Sequence, residues 1–180
     1  MSSLPESIAE LISPLAPLGP DRDPGALSES EVRSKTSEAL KAEGISGTGA
    51  SLVMSAALLM HDHLDSSHSI SQDISSASGS MLHAVMHRRE PDYGNARYWW
   101  NRTGNHPCFD QLAQSVTDLL SDEGADVLQN QLLTNGSWDA YTMNDLVANA
   151  ERGRSDETTR DLLKKVQRLE IQSLLEYELA

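Results

Sequence analysis

The side chains best suited to chemistry lie in one stretch of the chain, between His61 and Pro107. All six histidines fall within it, at His61, His63, His68, His83, His87 and His106. Neutral imidazole is a common metal ligand, and near neutral pH it is also a general acid or base. The densest part reads H-A-V-M-H-R-R-E-P-D-Y-G-N-A-R-Y-W-W, from His83 to Trp100. The sequence therefore locates a site without naming its reaction.

A metal centre is the first hypothesis for this stretch. His83 and His87 are four residues apart, so a helix would place both imidazoles on one face. The pair lacks the glutamate of zinc-protease helices, because Ala84 stands at that position. Helical bundles build such sites from His and carboxylate ligands on facing helices, and zinc, iron, manganese or nickel would suit this one. The predicted metal ligands are His61, His68, His83 and His87.

A pocket for a small polar, anionic molecule is the second hypothesis. Residues 81–109 carry four arginines against two acids, whereas the whole chain has a net charge of −13. Arginine donates to carboxylates and phosphates, and flat aromatic rings stack on sugars or heterocycles. The predicted ligand-binding residues are Arg88, Arg89, Asn95, Tyr98, Trp99 and His106. The predicted catalytic residues are His61, His87 and Glu90.

A non-catalytic protein is the alternative of a different class. In that interpretation the histidines, arginines and tryptophans form a buried polar network that joins helices, so enzyme activity stays open. Cys108 is better explained as a small buried apolar residue than as a nucleophile. A serine-based triad lacks support, because the G-x-S-x-G turn of such enzymes is missing from the sequence.

Composition narrows the remaining classes. A chain of 180 residues suits one domain, and its acidic balance argues against nucleic-acid partners. The sequence offers no apolar run long enough to cross a membrane, so no membrane partner is expected. The single cysteine cannot form an internal disulfide, which favours a cytoplasmic location.

The elements that must position these residues are helices. Residues 51–65 are apolar in almost every direction, which predicts a buried central helix. A second helix over 70–89 would carry His83 and His87 on one side. Further helices are predicted over 29–43, 93–102, from Pro107 onward, 122–133, 137–151 and from Ser155 to about 179. The expected fold is an all-α, single-domain, irregular bundle.

The two ends of the chain differ from this middle part. Five prolines in residues 1–27 predict a short helix followed by an extended crossing, ahead of a helical domain over 28–180. The apolar stripe of the last helix drifts around its axis. That drift suits packing either on the body of the protein or on a second subunit, so a homodimer through this helix is one expectation.

Three segments together resemble a family of bacterial and fungal proteins that has no established function. They are H-D-H-L-D-S-S-H-S-I-S-Q (61–72), H-A-V-M-H-R-R-E-P-D-Y-G-N-A-R-Y-W (83–99) and G-N-H-P (104–107). The family is marked by H-R-R-E-x-D and N-x-x-Y-W. The resemblance covers about a quarter of the chain and implies that these positions form the feature shared by the family.

Overall fold

The structure, a computed structural model, describes residues 3–180. Within that range it contains ten helices and one short hairpin, which confirms the predicted all-α, single-domain bundle. The elements are α1 (Glu6–Leu11), α2 (Glu29–Ala42), α3 (Gly47–Met60), α4 (Leu64–Ser71), α5 (Ala77–Arg89), α6 (Tyr93–Thr103), α7 (Cys108–Asp122), α8 (Asp126–Leu132), β1 (Leu133–Thr134), β2 (Ser137–Trp138), α9 (Ala140–Glu151) and α10 (Glu157–Glu178). Across residues 3–180, no helix has the length and apolar character that crossing a membrane requires.

Helix α3 is the centre of the bundle, as predicted. Every residue from Leu52 to Met60 except Met54 is buried, and α3 contacts α1, α2, α4, α5 and α10. Its bounds differ from the predicted 51–65. The helix ends at Met60, because the chain turns sharply at Asp62, whose φ is 67°. The turn allows α4 to start at Leu64 and to pack back against α3.

The single helix predicted over 70–89 is wrong, because residues 72–76 break it into α4 and α5. Ser76 caps the start of α5 by accepting the backbone N–H of Gly79. The preceding turn places Ile74 against Gly79. A methyl group at Gly79 would overlap the Ile74 carbonyl oxygen and lie 2.6 Å from Ile74 Cβ. Helix α5 is then buried along its whole length from Ser78 to Arg89.

The remaining helices lie close to their predicted positions. Ser28 and Glu31 form the predicted capping box at the start of α2, and Asp92 caps α6. The strands β1 and β2 were not predicted. They pair antiparallel across Asn135 and Gly136, both at positive φ, which is the turn geometry that an Asn-Gly pair favours.

Both ends of the described chain pack on the body. Residues Ile8, Leu11, Ile12, Ala16 and Leu18 of the N-terminal segment are buried in the common core. The apolar side of α10 is also buried within the chain, through contacts with α3, α5, α7 and α9. A homodimer through α10 stays a prediction, and it would have to use the more polar side of that helix.

Candidate metal centre

Three histidines meet between α4 and α5, and we call them the histidine cluster: His68, His83 and His87. Each can offer a ring nitrogen such that the three atoms lie within 4.8 Å of one another. The ring centroids are 4.5 to 5.3 Å apart. His83 and His87 share a face of α5 through their spacing, and the packing of α4 on α5 brings in His68.

His83 is the most enclosed member of the histidine cluster. Its side chain is 2% exposed, its ring stacks on Trp99 with centroids 3.9 Å apart, and its Nδ1 lies 3.3 Å from the Ser71 hydroxyl. Burial, reinforced by the neighbouring His87 and His68, lowers the pKa of His83 to about 3. At neutral pH the ring is uncharged, so one nitrogen keeps a lone pair for a ligand.

His87 lies between a carboxylate and an amide. Its Nδ1 is 3.0 Å from Glu90 Oε2, and its Nε2 is 3.1 Å from Asn95 Nδ2. Burial lowers the pKa of His87, and the adjacent Glu90 carboxylate opposes that shift. With the Nδ1 proton donated to Glu90, Nε2 keeps the lone pair and could serve as a ligand atom, the arrangement typical of metal-bound histidines. A metal at Nε2 would displace the amide nitrogen of Asn95 or turn its Oδ1 inward.

Trp99 and its neighbours form one wall of the histidine cluster. The Tyr98 ring meets Trp99 edge-on at 5.5 Å, and the Arg102 guanidinium lies 5.1 Å from the Trp99 ring centroid. Tyr98 is 54% exposed, so this wall reaches solvent. Of the predicted ligand-binding residues, the structure brings Asn95 and Trp99 to the cluster and leaves Tyr98 at its edge.

Arg88 and Arg89 point away from this site and brace the core. Arg88 donates to both Glu170 oxygens, at 2.5 and 3.1 Å. Arg89 donates to Asp62 at 2.6 Å and to the Leu59 carbonyl at 2.5 Å. Both arginines are fully buried. Their terminal donors are committed to protein acceptors, so neither is available to an anionic ligand as predicted.

His61 lies outside the histidine cluster, although it was predicted as a metal ligand and a catalytic residue. It belongs to a run of three residues that hold the N-terminal strap, which we define as residues 12–27. His61 Nδ1 accepts the Leu27 N–H at 3.3 Å, and His63 Nε2 lies 2.9 Å from the Leu27 carbonyl. Between them, Asp62 accepts the Asp23 N–H at 2.8 Å. Residues 61–63 therefore hold the backbone of the N-terminal strap in place.

His106 also lies apart, at the far end of α5. Its Nδ1 accepts the Cys108 N–H at 3.2 Å, so its Nε2 carries the proton and donates to the Ser78 hydroxyl at 3.0 Å. Ser78 in turn donates to Glu178. His106 therefore cannot act as a base toward Ser78. Burial lowers its pKa, and the chain of hydrogen bonds ties α5 to the end of α10.

An acidic groove, which the sequence analysis did not predict, lies beside the histidine cluster. Its volume is about 670 Å³, and its carboxylates are Glu29, Asp62, Asp65, Glu90 and Asp92. Glu90 belongs to both the groove and the cluster, through its contact with His87. Arg89 neutralises Asp62 and Arg33 pairs with Glu29, so Asp65, Glu90 and Asp92 are the carboxylates that would draw cations toward the cluster.

Comparisons with protein-family models, with curated proteins and with solved structures found no match to this chain. The family resemblance therefore stays a prediction, and the function must be inferred from the geometry of the site.

Proposed function

We propose that the protein binds one divalent transition-metal ion through His68, His83 and His87. One observation carries this proposal, namely that three imidazole nitrogens from two packed helices lie within 4.8 Å of one another. Three protein ligands with a further open position are typical of catalytic zinc sites. An all-nitrogen ligand set favours zinc, iron or nickel over manganese, which prefers oxygen.

The protonation of the cluster supports the proposal. Metal ions compete with protons for imidazole, and burial already lowers the pKa values of His83 and His87. Glu90 would fix the orientation of the His87 ring and raise its basicity as a ligand. The acidic groove would supply the ion.

The proposed substrate is a small polar molecule with an anionic oxygen. Because Arg88 and Arg89 are committed inside the core, the metal itself would provide the positive charge that binds this oxygen. A metal such as zinc lowers the pKa of a bound water to about 7, which would supply a nucleophile for hydrolysis or hydration. Asn95 and Trp99 lie at the cluster and would contact the bound molecule.

A structural role is the second candidate, and the ring packing favours it. The rings of the histidine cluster contact one another, His83 stacks on Trp99, and Glu90 and Asn95 bond to His87. These contacts join α4, α5 and α6 without an ion.

Metal analysis of the purified, untagged protein separates the two candidates. We expect about one equivalent of zinc, nickel or iron, its loss in His68→Ala and His83→Ala, and its retention in the control His63→Gln. Zinc added to the metal-free proteins should raise the Tm of the control His63→Gln, and it should not raise the Tm of the two cluster variants. Absence of metal after zinc reconstitution, or full retention in both cluster variants, would contradict the metal site and leave the structural role.

Glu90→Gln tests the ligand orientation separately. It keeps the length of the side chain and removes the carboxylate that accepts from His87. Loss of such a partner weakens metal affinity about 10- to 100-fold, which competition with a chelating dye measures. Asp65→Asn removes a charge from the same groove and is the control. Equal affinities in the two variants would assign the effect to groove charge alone.

A further inference from the structure

A buried serine, Ser71, lies against the histidine cluster and has no part in the proposed function. It is the last residue of α4, three residues after His68, and it is 1% exposed. Its hydroxyl oxygen lies 3.3 Å from His83 Nδ1 and 3.3 Å from the main-chain carbonyl oxygen of His68. The hydroxyl therefore joins the backbone of one proposed metal ligand to the ring of another.

The protons available to this pair of contacts decide which nitrogen of His83 is protonated. A serine hydroxyl has one proton to donate, and a neutral imidazole has one N–H and one acceptor nitrogen. If Ser71 donates to the His68 carbonyl and accepts from His83 Nδ1–H, both contacts are hydrogen bonds. If Ser71 instead donates to His83 Nδ1, its contact with the His68 carbonyl has no proton.

The surroundings of His83 favour the first arrangement. Within residues 3–180, Ser71 is the one hydrogen-bond partner of the His83 ring, and that ring is 2% exposed, so water does not readily replace a missing bond. The stack on Trp99 holds the ring in its plane. One additional hydrogen bond in such a site favours one tautomer over the other by a factor of about 2 to 10.

We infer that Ser71 is a positioning residue, which holds His83 in the tautomer with its proton on Nδ1 and its lone pair on Nε2. Glu90 imposes the same tautomer on His87, because it accepts from Nδ1. The two histidines are one helical turn apart on α5, and both would offer Nε2 to an ion. The purpose of this arrangement rests on the proposed function, since metal-bound histidines typically donate their other ring N–H to a fixed acceptor.

The tautomer of His83 can be measured without a metal ion. Long-range proton–nitrogen NMR spectra of the metal-free protein, labelled with isotopic nitrogen in its histidines, distinguish a protonated from an unprotonated ring nitrogen. The signals that disappear in His83→Gln belong to His83. At neutral pH we expect a proton on Nδ1 in the wild type, and in Ser71→Ala a rise of about 2- to 10-fold in the ratio of the Nε2–H to the Nδ1–H tautomer.

Ser67→Ala is the matched control for Ser71→Ala. Ser67 is a second buried serine of α4, and its hydroxyl lies 3.0 Å from the Ser55 hydroxyl, away from the histidine rings. The control therefore loses a buried hydroxyl from the same helix and should keep the wild-type tautomer. Zinc affinity, measured by competition with a chelating dye, should fall about 10- to 100-fold in Ser71→Ala and stay unchanged in Ser67→Ala.

The possible results separate this inference from the proposed function. A proton on Nε2 of His83 in the wild type would overturn the inference, and so would an Nδ1 proton that Ser71→Ala leaves in place. If the wild type binds zinc, equal zinc affinities of Ser71→Ala and Ser67→Ala would also overturn it. No zinc binding by the wild type, combined with the expected tautomer and its change in Ser71→Ala, would support the role of Ser71 and contradict the metal site alone.

Discussion

Replacing Asp62 by asparagine should destabilise the protein far more than the loss of one surface charge does. Asp62 Oδ1 lies 2.6 Å from Arg89 Nη2, and the two side chains are 1% and 0% exposed. Asparagine tolerates the positive φ at this position and nearly matches aspartate in shape, so the substitution removes the charge and one of the two acceptor oxygens that serve Arg89 and the Asp23 N–H. Arg89 would then be a buried cation whose remaining acceptors are the Leu59 and Gly19 carbonyls.

Removing one partner of a buried ion pair costs about 3–5 kcal/mol, which for a chain of this length lowers the Tm by about 10 °C. Urea denaturation followed by circular dichroism measures the free energy of unfolding. Asp145→Asn is the matched control, because it breaks the Arg97 ion pair between side chains that are 43% and 57% exposed. That exposed pair should contribute less than about 1 kcal/mol. Equal costs in the two variants would refute the bracing role of Arg89 and restore it as a candidate for ligand binding.

Three further predictions concern buried groups. Because the pKa of His83 is about 3 when folded and about 6.5 when unfolded, this residue alone should cost the metal-free protein about 1.4 kcal/mol of stability per pH unit below pH about 6.5. The lowered pKa values of His87 and His106 add to that loss. Urea titrations with chelator at several pH values measure this slope, and a free energy of unfolding that stays constant down to pH about 5 would contradict it. Gly79→Ala should cost about 3 kcal/mol, because the new methyl group overlaps the backbone of Ile74, whereas the control Gly94→Ala meets its nearest atom at 3.9 Å and should be neutral or stabilising. Burial raises the pKa of Cys108 to about 12, so its thiol should react with a disulfide reagent at pH about 8 only after unfolding, and labelling of the native protein would contradict this.

Helical periodicity predicted most of the fold, because local spacing governs it. The apolar residues around Leu58 identified the central helix, and the interval between His83 and His87 identified two adjacent imidazoles. His68 was among the predicted ligands, and α4 places it beside the other two. Ser28 and Asp92 marked helix starts correctly through their capping chemistry.

The roles of the arginines could not be read from the sequence. Asp62 and Glu170, the acids that pair with Arg89 and Arg88, lie 27 and 82 residues away along the chain. A short stretch of sequence around Arg88 and Arg89 therefore looks like a cationic patch. In the folded protein both arginines are neutralised by these distant acids. The prediction of His61 as a metal ligand failed for the same reason, because its hydrogen-bond partner Leu27 lies 34 residues away along the chain.

The remaining misses had local signals. Ser76 followed by Gly79 is a helix start inside a segment whose apolar spacing favoured one continuous helix, and the capping signal was the better guide. Asn135-Gly136 is the strongest short signal for a hairpin, and the helices predicted over 122–133 and 137–151 took no account of it.

The N-terminal strap has a consequence for how the protein is made. Gln167 of α10 donates to the carbonyls of Ala16 and Pro17, 151 and 150 residues earlier in the chain. Arg89 reaches Gly19 of the same strap from the middle of the sequence. Because a ribosome releases the N-terminal end first, the strap emerges long before Arg89 and Gln167 have been synthesised, and its contacts with residues 61–63 can form earlier. Its final attachment must therefore come late in folding, and a nascent chain interrupted before α10 would leave the Ala16 and Pro17 carbonyls without their Gln167 donor.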